Sequence, residues 1–311
     1  MRQVEMPTAE DVGAARERIR GLVADTPLVE SAAFGAALKL ESFQPTGSFK
    51  VRGAAAALTA LPPGTRVVAA SAGNHGLGVA WAAERLGVEA TLVVAETASP
   101  AKVEALRRFP ARLVLHGGDY DAAEAHALEL AAAEEARFVS PYNDRDVIAG
   151  QGTLGLDLLD AGGGEATLVV PVGGGGLAAG IGLVAAPAGA RIVGVVPEAS
   201  PALRAALAAG RAVPVRVRET LADGLAGNIE PGSVTVPLCS RLLDDLVAVS
   251  EEELAEAMRL LAREHGLVAE GSGAAAAAAL LAGKVERDRR AVAIVSGRNV
   301  APATLARVLA E

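Results

Sequence analysis

Short apolar runs without polar alternation recur along the chain, and alanine-rich stretches with helical spacing follow most of them. Val, Leu, Ile and Ala dominate the runs at 66–70, 90–94, 112–115, 167–171, 191–196, 246–249 and 291–296. A strand with one face in water alternates polar and apolar residues, whereas a strand covered on both faces does not. The pattern therefore calls for parallel sheets with helices packed on each side. The helical stretches are 76–86, 100–108, 121–135, 176–186, 200–209, 251–265 and 271–282. The expected class is α/β, with two open, parallel, twisted sheets. Three strand–helix units crowd one stretch, so 61–143 is read as a small unit inserted in a large one made of 1–60 and 144–311. A chain of 311 residues has enough core for both.

Aromatic residues are only 3% of the chain, so alanine, valine and leucine must build that core. The formal charge of -8, with no basic stripe or aromatic ladder, argues against a nucleic-acid partner. Cys239 is the single cysteine, which rules out an internal disulfide and suits a reducing, cytoplasmic setting. No histidine flanks it, so it reads as a packed, inert thiol. The N-terminal segment mixes charges with short apolar steps and reads as a capped amphipathic helix, not a signal peptide. No uncharged apolar run is long enough for a membrane span. Sparse Asn, Gln, Lys and Met beside abundant Arg and Ala point to a thermophilic or GC-rich source.

In open parallel sheets ligands collect beyond the carboxyl ends of the strands, and several of those ends carry chemistry. The run at 66–70 enters Ser71-Ala72-Gly73-Asn74-His75-Gly76, where backbone N–H groups, a hydroxyl and an amide meet at a helix start. Such a turn suits a carboxylate, and Asn74 is free to hydrogen-bond a phenolic oxygen; the plainer alternative is an ordinary helix cap. His75 is given no acid–base role. The run at 167–171 enters Gly173-Gly174-Gly175-Gly176, an opening that suits a phosphate, and four glycines look more than close packing needs. The same loop loosely matches a dinucleotide fingerprint, with Glu198 ending the next strand, so an NAD-binding oxidoreductase has to be weighed. Ser296, after the last strand, either faces a ring nitrogen or caps a helix.

Lys50 stands in Thr46-Gly47-Ser48-Phe49-Lys50-Val51-Arg52-Gly53-Ala54 and is one of only four lysines. Arginine stays protonated and forms no imine, so a lysine in an ordered segment of an arginine-rich chain suggests amine chemistry. A solvated charge at a helix start is the other reading of this segment alone. An NAD enzyme has no particular use for the Lys50 and Ser71–Gly76 segments. A phosphorylated aldehyde cofactor uses both, together with the glycine loop.

Taken together these segments resemble the pyridoxal-phosphate enzymes of the tryptophan-synthase β fold, fold type II, in the branch of the threonine/serine dehydratases (threonine deaminases) and serine racemases. Thr46 to Ala54 is similar to the branch's lysine segment, Ser71 to Gly76 to its substrate-carboxylate loop, Gly173 to Gly176 to its phosphate loop and Ser296-Gly297 to its pyridine-nitrogen position. Ala222-Asp223-Gly224-Leu225-Ala226 and Glu270-Gly271-Ser272-Gly273-Ala274 also resemble segments of the branch. The likeness runs from about Thr26 to about Asn299.

The resemblance implies pyridoxal 5'-phosphate as cofactor and Lys50 as the catalytic residue, first anchoring the cofactor and then taking the Cα proton. Phe49, Asn74 and Gly173 to Gly176 with Leu177 are the implied cofactor contacts, joined by Gly224, Glu270 and Ser296. Substrate contacts are implied at Ser71, Ala72, Gly73, Asn74, His75 and Asn143. The implied reaction is loss of water from L-threonine or L-serine, giving a 2-oxoacid and ammonia, without a required metal. Serine racemases of the branch carry a second serine where this chain has Ala72, so racemisation is expected to be weak. Val196 replaces an acidic residue of the branch's cation site, although Glu198 or Asp223 offers another ligand. The chain ends a short helix after Ser296, so no amino-acid-sensing domain and no feedback control are expected. Homodimers or homotetramers are implied by the family. Serine racemase, 3-hydroxyaspartate dehydratase and a catalytically silent cofactor binder remain alternatives.

Overall fold

A computed structural model describes residues 2–310 and places ten strands in two sheets. In chain order the strands are β1 (Leu28–Ser31), β2 (Ala36–Lys39), β3 (Val67–Ala70), β4 (Ala90–Val94), β5 (Arg112–Leu115), β6 (Arg137–Phe138), β7 (Thr167–Pro171), β8 (Arg191–Pro197), β9 (Asp245–Val249) and β10 (Ala291–Ile294). The first six helices are α1 (Ala9–Ile19), α2 (Lys50–Thr59), α3 (Asn74–Leu86), α4 (Pro100–Leu106), α5 (Tyr120–Ala133) and α6 (Arg145–Asp160). The remaining six are α7 (Gly176–Ala185), α8 (Ala202–Ala209), α9 (Thr235–Leu242), α10 (Glu251–His265), α11 (Gly271–Leu281) and α12 (Pro302–Ala310).

The larger sheet has the order β1-β2-β10-β7-β8-β9 and the smaller one β5-β4-β3-β6. All pairings are parallel except β1 with β2, an antiparallel hairpin at one edge of the larger sheet. Burial explains the missing alternation. Leu168 and Val170 of β7 enter the same cluster as α2, α6 and α7, while Val169 faces α10 and α11. In β3, Val67 and Ala69 join the first of these clusters, and Val68 and Ala70 pack on Ala123, Ala127 and Ala131 of α5. Helices between the two sheets thus share one core, and each sheet has a second core on its outer face.

Three differences from the sequence expectation have physical causes. The β1–β2 hairpin went unseen because Leu28-Val29-Glu30-Ser31 is short and half polar, and it leaves the larger sheet mostly, not wholly, parallel. Helix α6 went unseen because Gly150, Gly152 and Gly155 interrupt it, and glycine in a helix interior costs about 1 kcal/mol against alanine. Those glycines let three helices cross closely. A Cβ on Gly150 would lie 2.6 Å from the Arg52 carbonyl oxygen of α2, and one on Gly152 would lie 2.6 Å from the Gly180 carbonyl oxygen of α7. Strand β10 ends at Ile294, before Ser296, because the next residues turn to pair with the Lys50 segment.

Candidate active site

The loop before Lys50 is pinned to the end of β10. Ser48 and Gly297 form a bridge, Phe49 N donates to the Ser296 carbonyl at 3.1 Å, and Arg298 N donates to the Gly47 carbonyl at 2.9 Å. Lys50 then opens α2 half-buried, with Nζ donating to the Pro141 carbonyl at 2.8 Å. The other lysines are committed elsewhere: Lys39 to the Thr26 carbonyl, Lys102 to Asp223 and Lys284 to Glu253. Among the described residues Lys50 has no carboxylate at ion-pair distance. Burial consequently pushes its amine down to about 8, with the charge of Glu270 acting in the opposite direction.

A neutral amine is the nucleophile, so uptake of the phosphorylated aldehyde that the sequence resemblance implies should speed up as the pH rises through about 8. Glu270→Gln should move that midpoint lower, because it removes the charge that favours the ammonium. Stopped-flow absorbance checks both statements, and a flat profile across the neutral range contradicts the assignment.

Two helices begin at the same crevice without a side-chain cap. Helix α7 starts after Gly175, in left-handed conformation at φ 89°, and α3 starts after Gly73. Elsewhere α1, α4, α5, α6 and α10 are capped by Thr8, Ser99, Asp119, Asp144 and Ser250, while α8 and α9 also lack a side-chain cap. Uncapped first turns leave N–H groups and the positive end of the helix dipole for an anion. Each of the four glycines also answers to packing, so their number alone does not argue for a phosphate. A Cβ on Gly174 would run into the Tyr142 ring, one on Gly176 would lie 3.0 Å from the Tyr142 carbonyl oxygen, and one on Gly173 would lie 3.0 Å from Leu225 Cα. At Gly175 the Cβ would sit 3.0 Å from Cys239 Sγ. That thiol is buried, donates to the Gly175 carbonyl and is pushed up to about 12 by burial, so it remains protonated.

Across the crevice, Asn74 Nδ2 donates to Glu270 Oε1 at 2.6 Å and Asn74 Oδ1 accepts from Asn299 Nδ2 at 2.7 Å. Burial pushes the Glu270 carboxyl up to about 7. His75 is buried, and its Nε2 lies 2.9 Å from the Val139 carbonyl; the carbonyl only accepts, so Nε2 carries the proton. Burial and the nearby Lys50 charge push His75 down to about 3, which keeps it neutral and unsuited to proton transfer at neutral pH. Ser71 Oγ accepts from Gly73 N at 3.1 Å, and Ala72 lies half-buried between them. Ser296 Oγ donates to the Ser272 carbonyl at 3.3 Å, beside Gly224, where a Cβ would lie 2.9 Å from Ser272 Oγ. Leu177 is buried in the core beneath the first turn of α7. Phe49 is half-buried, with the Lys50 ammonium 5.2 Å from its ring centroid.

This arrangement offers two helix starts suited to anions, an amine that loses its proton near pH 8, and an amide and a hydroxyl. A single phosphorylated carbonyl compound would engage all of these. The family profile of pyridoxal-phosphate dependent enzymes matches residues 19–297. The chain belongs to this family. It is 39% identical over 306 residues to the L-threonine ammonia-lyase of Thermotoga maritima, an alignment covering 95% of this chain and 76% of that one. The crystal structure of a T.th. threonine deaminase superposes with a TM-score of 0.87 at 36% identity, covering 95% of this chain and 99% of that one. Maize serine racemase superposes with a TM-score of 0.90 at 30% identity, covering 98% of each chain. Membership removes the NAD reading, and Glu198 is an exposed residue at the end of β8.

Asn143 behaves differently from the other expected site residues. Its buried amide accepts from Val234 N at 3.0 Å and donates to Glu230, so both ends of it are engaged within the protein. The residues of this turn that face the site are its neighbours: Pro141 on the Lys50 amine and Tyr142 on the glycine loop. Neither was singled out from the sequence, although both adjoin Asn143. No helix among the described residues is long and apolar enough to cross a membrane.

Proposed function

We propose that this member of the family removes water from a small β-hydroxy amino acid, L-threonine or L-serine, and releases the 2-oxoacid and ammonia. The observation that carries the proposal is the Lys50 amine, depressed to about 8 and free of any carboxylate partner among the described residues, at a crevice bounded by two uncapped helices. Pyridoxal phosphate supplies an electrophilic carbonyl and an electron-withdrawing ring that makes the Cα proton of a bound amino acid acidic.

The residues present fit that group. The first turn of α7 would receive the phosphate, Lys50 Nζ would hold the carbonyl carbon, Asn74 would meet the phenolic oxygen, and Ser296 Oγ would meet the ring nitrogen by turning its proton away from the Ser272 carbonyl. A serine there, unlike a carboxylate, does not keep the ring nitrogen protonated, which favours elimination over transamination. The uncapped start of α3 receives the substrate carboxylate. The Lys50 amine, neutral within the crevice, would take the Cα proton of a bound amino acid. The Cβ–O bond breaks, and the hydroxyl leaves as water with one proton. The enamine product would take up a proton at Cβ to become an imine, and hydrolysis by one water would release ammonia, so L-threonine would end as 2-oxobutyrate and L-serine as pyruvate.

The similarity to maize serine racemase supports a second reading. Ala72 weighs against it, because racemisation requires a proton donor on the face opposite Lys50 and a methyl group donates none. Steady-state assays of 2-oxoacid from L-threonine, L-serine and 3-hydroxyaspartate, with chiral analysis of the serine reaction, decide between the readings. The expected result is fast 2-oxoacid formation with little D-serine. D-serine accumulating as fast as pyruvate would replace elimination by racemisation as the main activity.

A further inference from the structure

We propose that Asn299 is a positioning residue that fixes which end of the Asn74 amide faces the crevice, so that Asn74 presents an N–H to the phenolic oxygen of pyridoxal phosphate. The proposal rests on the cofactor placement given above and concerns a residue to which that placement assigns no part. Its starting point is a backbone carbonyl. Asn299 Nδ2 lies 2.8 Å from the Thr46 carbonyl oxygen, which can only accept, so the nitrogen of the Asn299 amide must occupy that position. Its second N–H points at Asn74 at 2.7 Å and requires an acceptor there, which places Asn74 Oδ1 against Asn299 and Asn74 Nδ2 on the far side. On that side Nδ2 donates to Glu270 Oε1 at 2.6 Å, leaving one N–H uncommitted.

A flipped Asn74 amide would set its NH2 against that of Asn299, a repulsive contact whatever the state of Glu270, and its oxygen against Glu270, repulsive whenever that carboxyl is ionised. Polarity is therefore handed from Thr46 through Asn299 to Asn74, and Glu270 closes the series. Glu270 is itself held by N donating to the Gly297 carbonyl at 3.1 Å, and it also takes a hydrogen bond from the Asn299 backbone.

Gly47 has the features this arrangement needs. Its φ of 77° favours glycine, and a Cβ there would sit 2.5 Å from Asn299 Oδ1. Asn299 is exposed and Asn74 half-buried, so substitutions at 299 should leave the core intact.

The test is a double-mutant cycle on the full-length protein loaded with pyridoxal phosphate. Asn299→Asp keeps the size but turns the donor into an acceptor. It should weaken cofactor affinity about tenfold or more, the effect of losing one hydrogen bond to a charged group. It should also lower the ratio of visible to near-ultraviolet absorbance, since a phenolic oxygen without its donor retains a proton more readily. Asn299→Ala should act in the same direction and less strongly. In an Asn74→Ala background neither substitution should change affinity or spectrum further. Full additivity in that background, or a parental spectrum and affinity for Asn299→Asp, overturns the proposal. Lys50→Ala separates the two levels. If that variant keeps the visible band, the cofactor placement itself fails; if it loses the band while Asn299→Asp stays parental, only the role of Asn299 fails.

Discussion

Replacing Lys50 by alanine should abolish the visible band of the cofactor-loaded protein and lower ammonia release from L-threonine by about 10³-fold or more, since a general base alone contributes about 10²–10⁴-fold. No other lysine can take over. Lys39 is buried on the Thr26 carbonyl, Lys102 is paired with Asp223 and Lys284 bridges Glu253 and the Ala248 carbonyl. The fold should survive, because Lys50 Nζ makes one hydrogen bond, to Pro141. Stability should even rise. The amine titrates near 8 when folded and at about 10.4 when unfolded, so the folded state carries a penalty at neutral pH. That penalty is complete below about 8 and fades as the pH climbs toward the unfolded value. The gain from Lys50→Ala should follow the same window in urea titrations at a series of pH values. A retained band, or turnover within about tenfold of the parent, overturns the assignment of Lys50.

The second large effect is expected two residues away. Arg52 is 1% exposed and grips the fully buried Glu41 in a two-pronged contact, Nε to Oε2 at 2.7 Å and Nη2 to Oε1 at 2.9 Å. Nη2 also pairs with Asp157 at 2.8 Å, and Nη1 donates to Thr153 at 3.1 Å. Glu41 in turn accepts from Thr26 at 2.6 Å and from Gln44 at 3.2 Å. Arg52→Met should therefore cost about 3–5 kcal/mol, because it leaves a carboxylate buried without its cation. The same change with Glu41→Leu should recover part of the loss.

The pH dependence follows from the same pair. Burial pushes the Glu41 carboxyl up, and Arg52 more than offsets this, so its folded value lies below the ordinary one. In the parent, that stability is present above the ordinary carboxyl value and is lost as the pH falls through the folded one. Without Arg52 the carboxyl titrates high, so the deficit of Arg52→Met should shrink as the pH is lowered. Denaturant midpoints at neutral and acidic pH check the sign. A deficit below about 1 kcal/mol at neutral pH would show that the pair does not brace this segment.

The fold class was legible because strands such as β7 and β10, buried on both faces, leave a continuous apolar run. Elements escaped where tertiary contact overrode local preference, as in α6, whose glycines look like breaks in one dimension and are crossing points in three. Within the site, Lys50, Gly173 to Gly176 and Ser71 to Gly76 were legible because their chemistry is local to a turn. Tyr142 and Pro141 were not, since the atoms they offer matter only through what lies across the crevice. Asn299 lay at the edge of the stretch that carries the family resemblance, yet its meaning depends on a carbonyl 253 positions away.

The crossings of α2 on α6 and of α6 on α7 make the helix that carries Lys50 an anvil. Close backbone approach at Gly150, Gly152 and Gly180 locks α2 on α6 and α6 on α7, so α2 cannot tilt without disturbing α6. The opposing jaw, the loop after β3, is tied across the crevice by side-chain hooks such as Asn74 on Asn299 and Glu270. Such hooks unfasten at far lower cost than packed helices shear. Any adjustment to a substrate of different size should therefore fall to the jaw, while the Lys50 amine keeps its bearing.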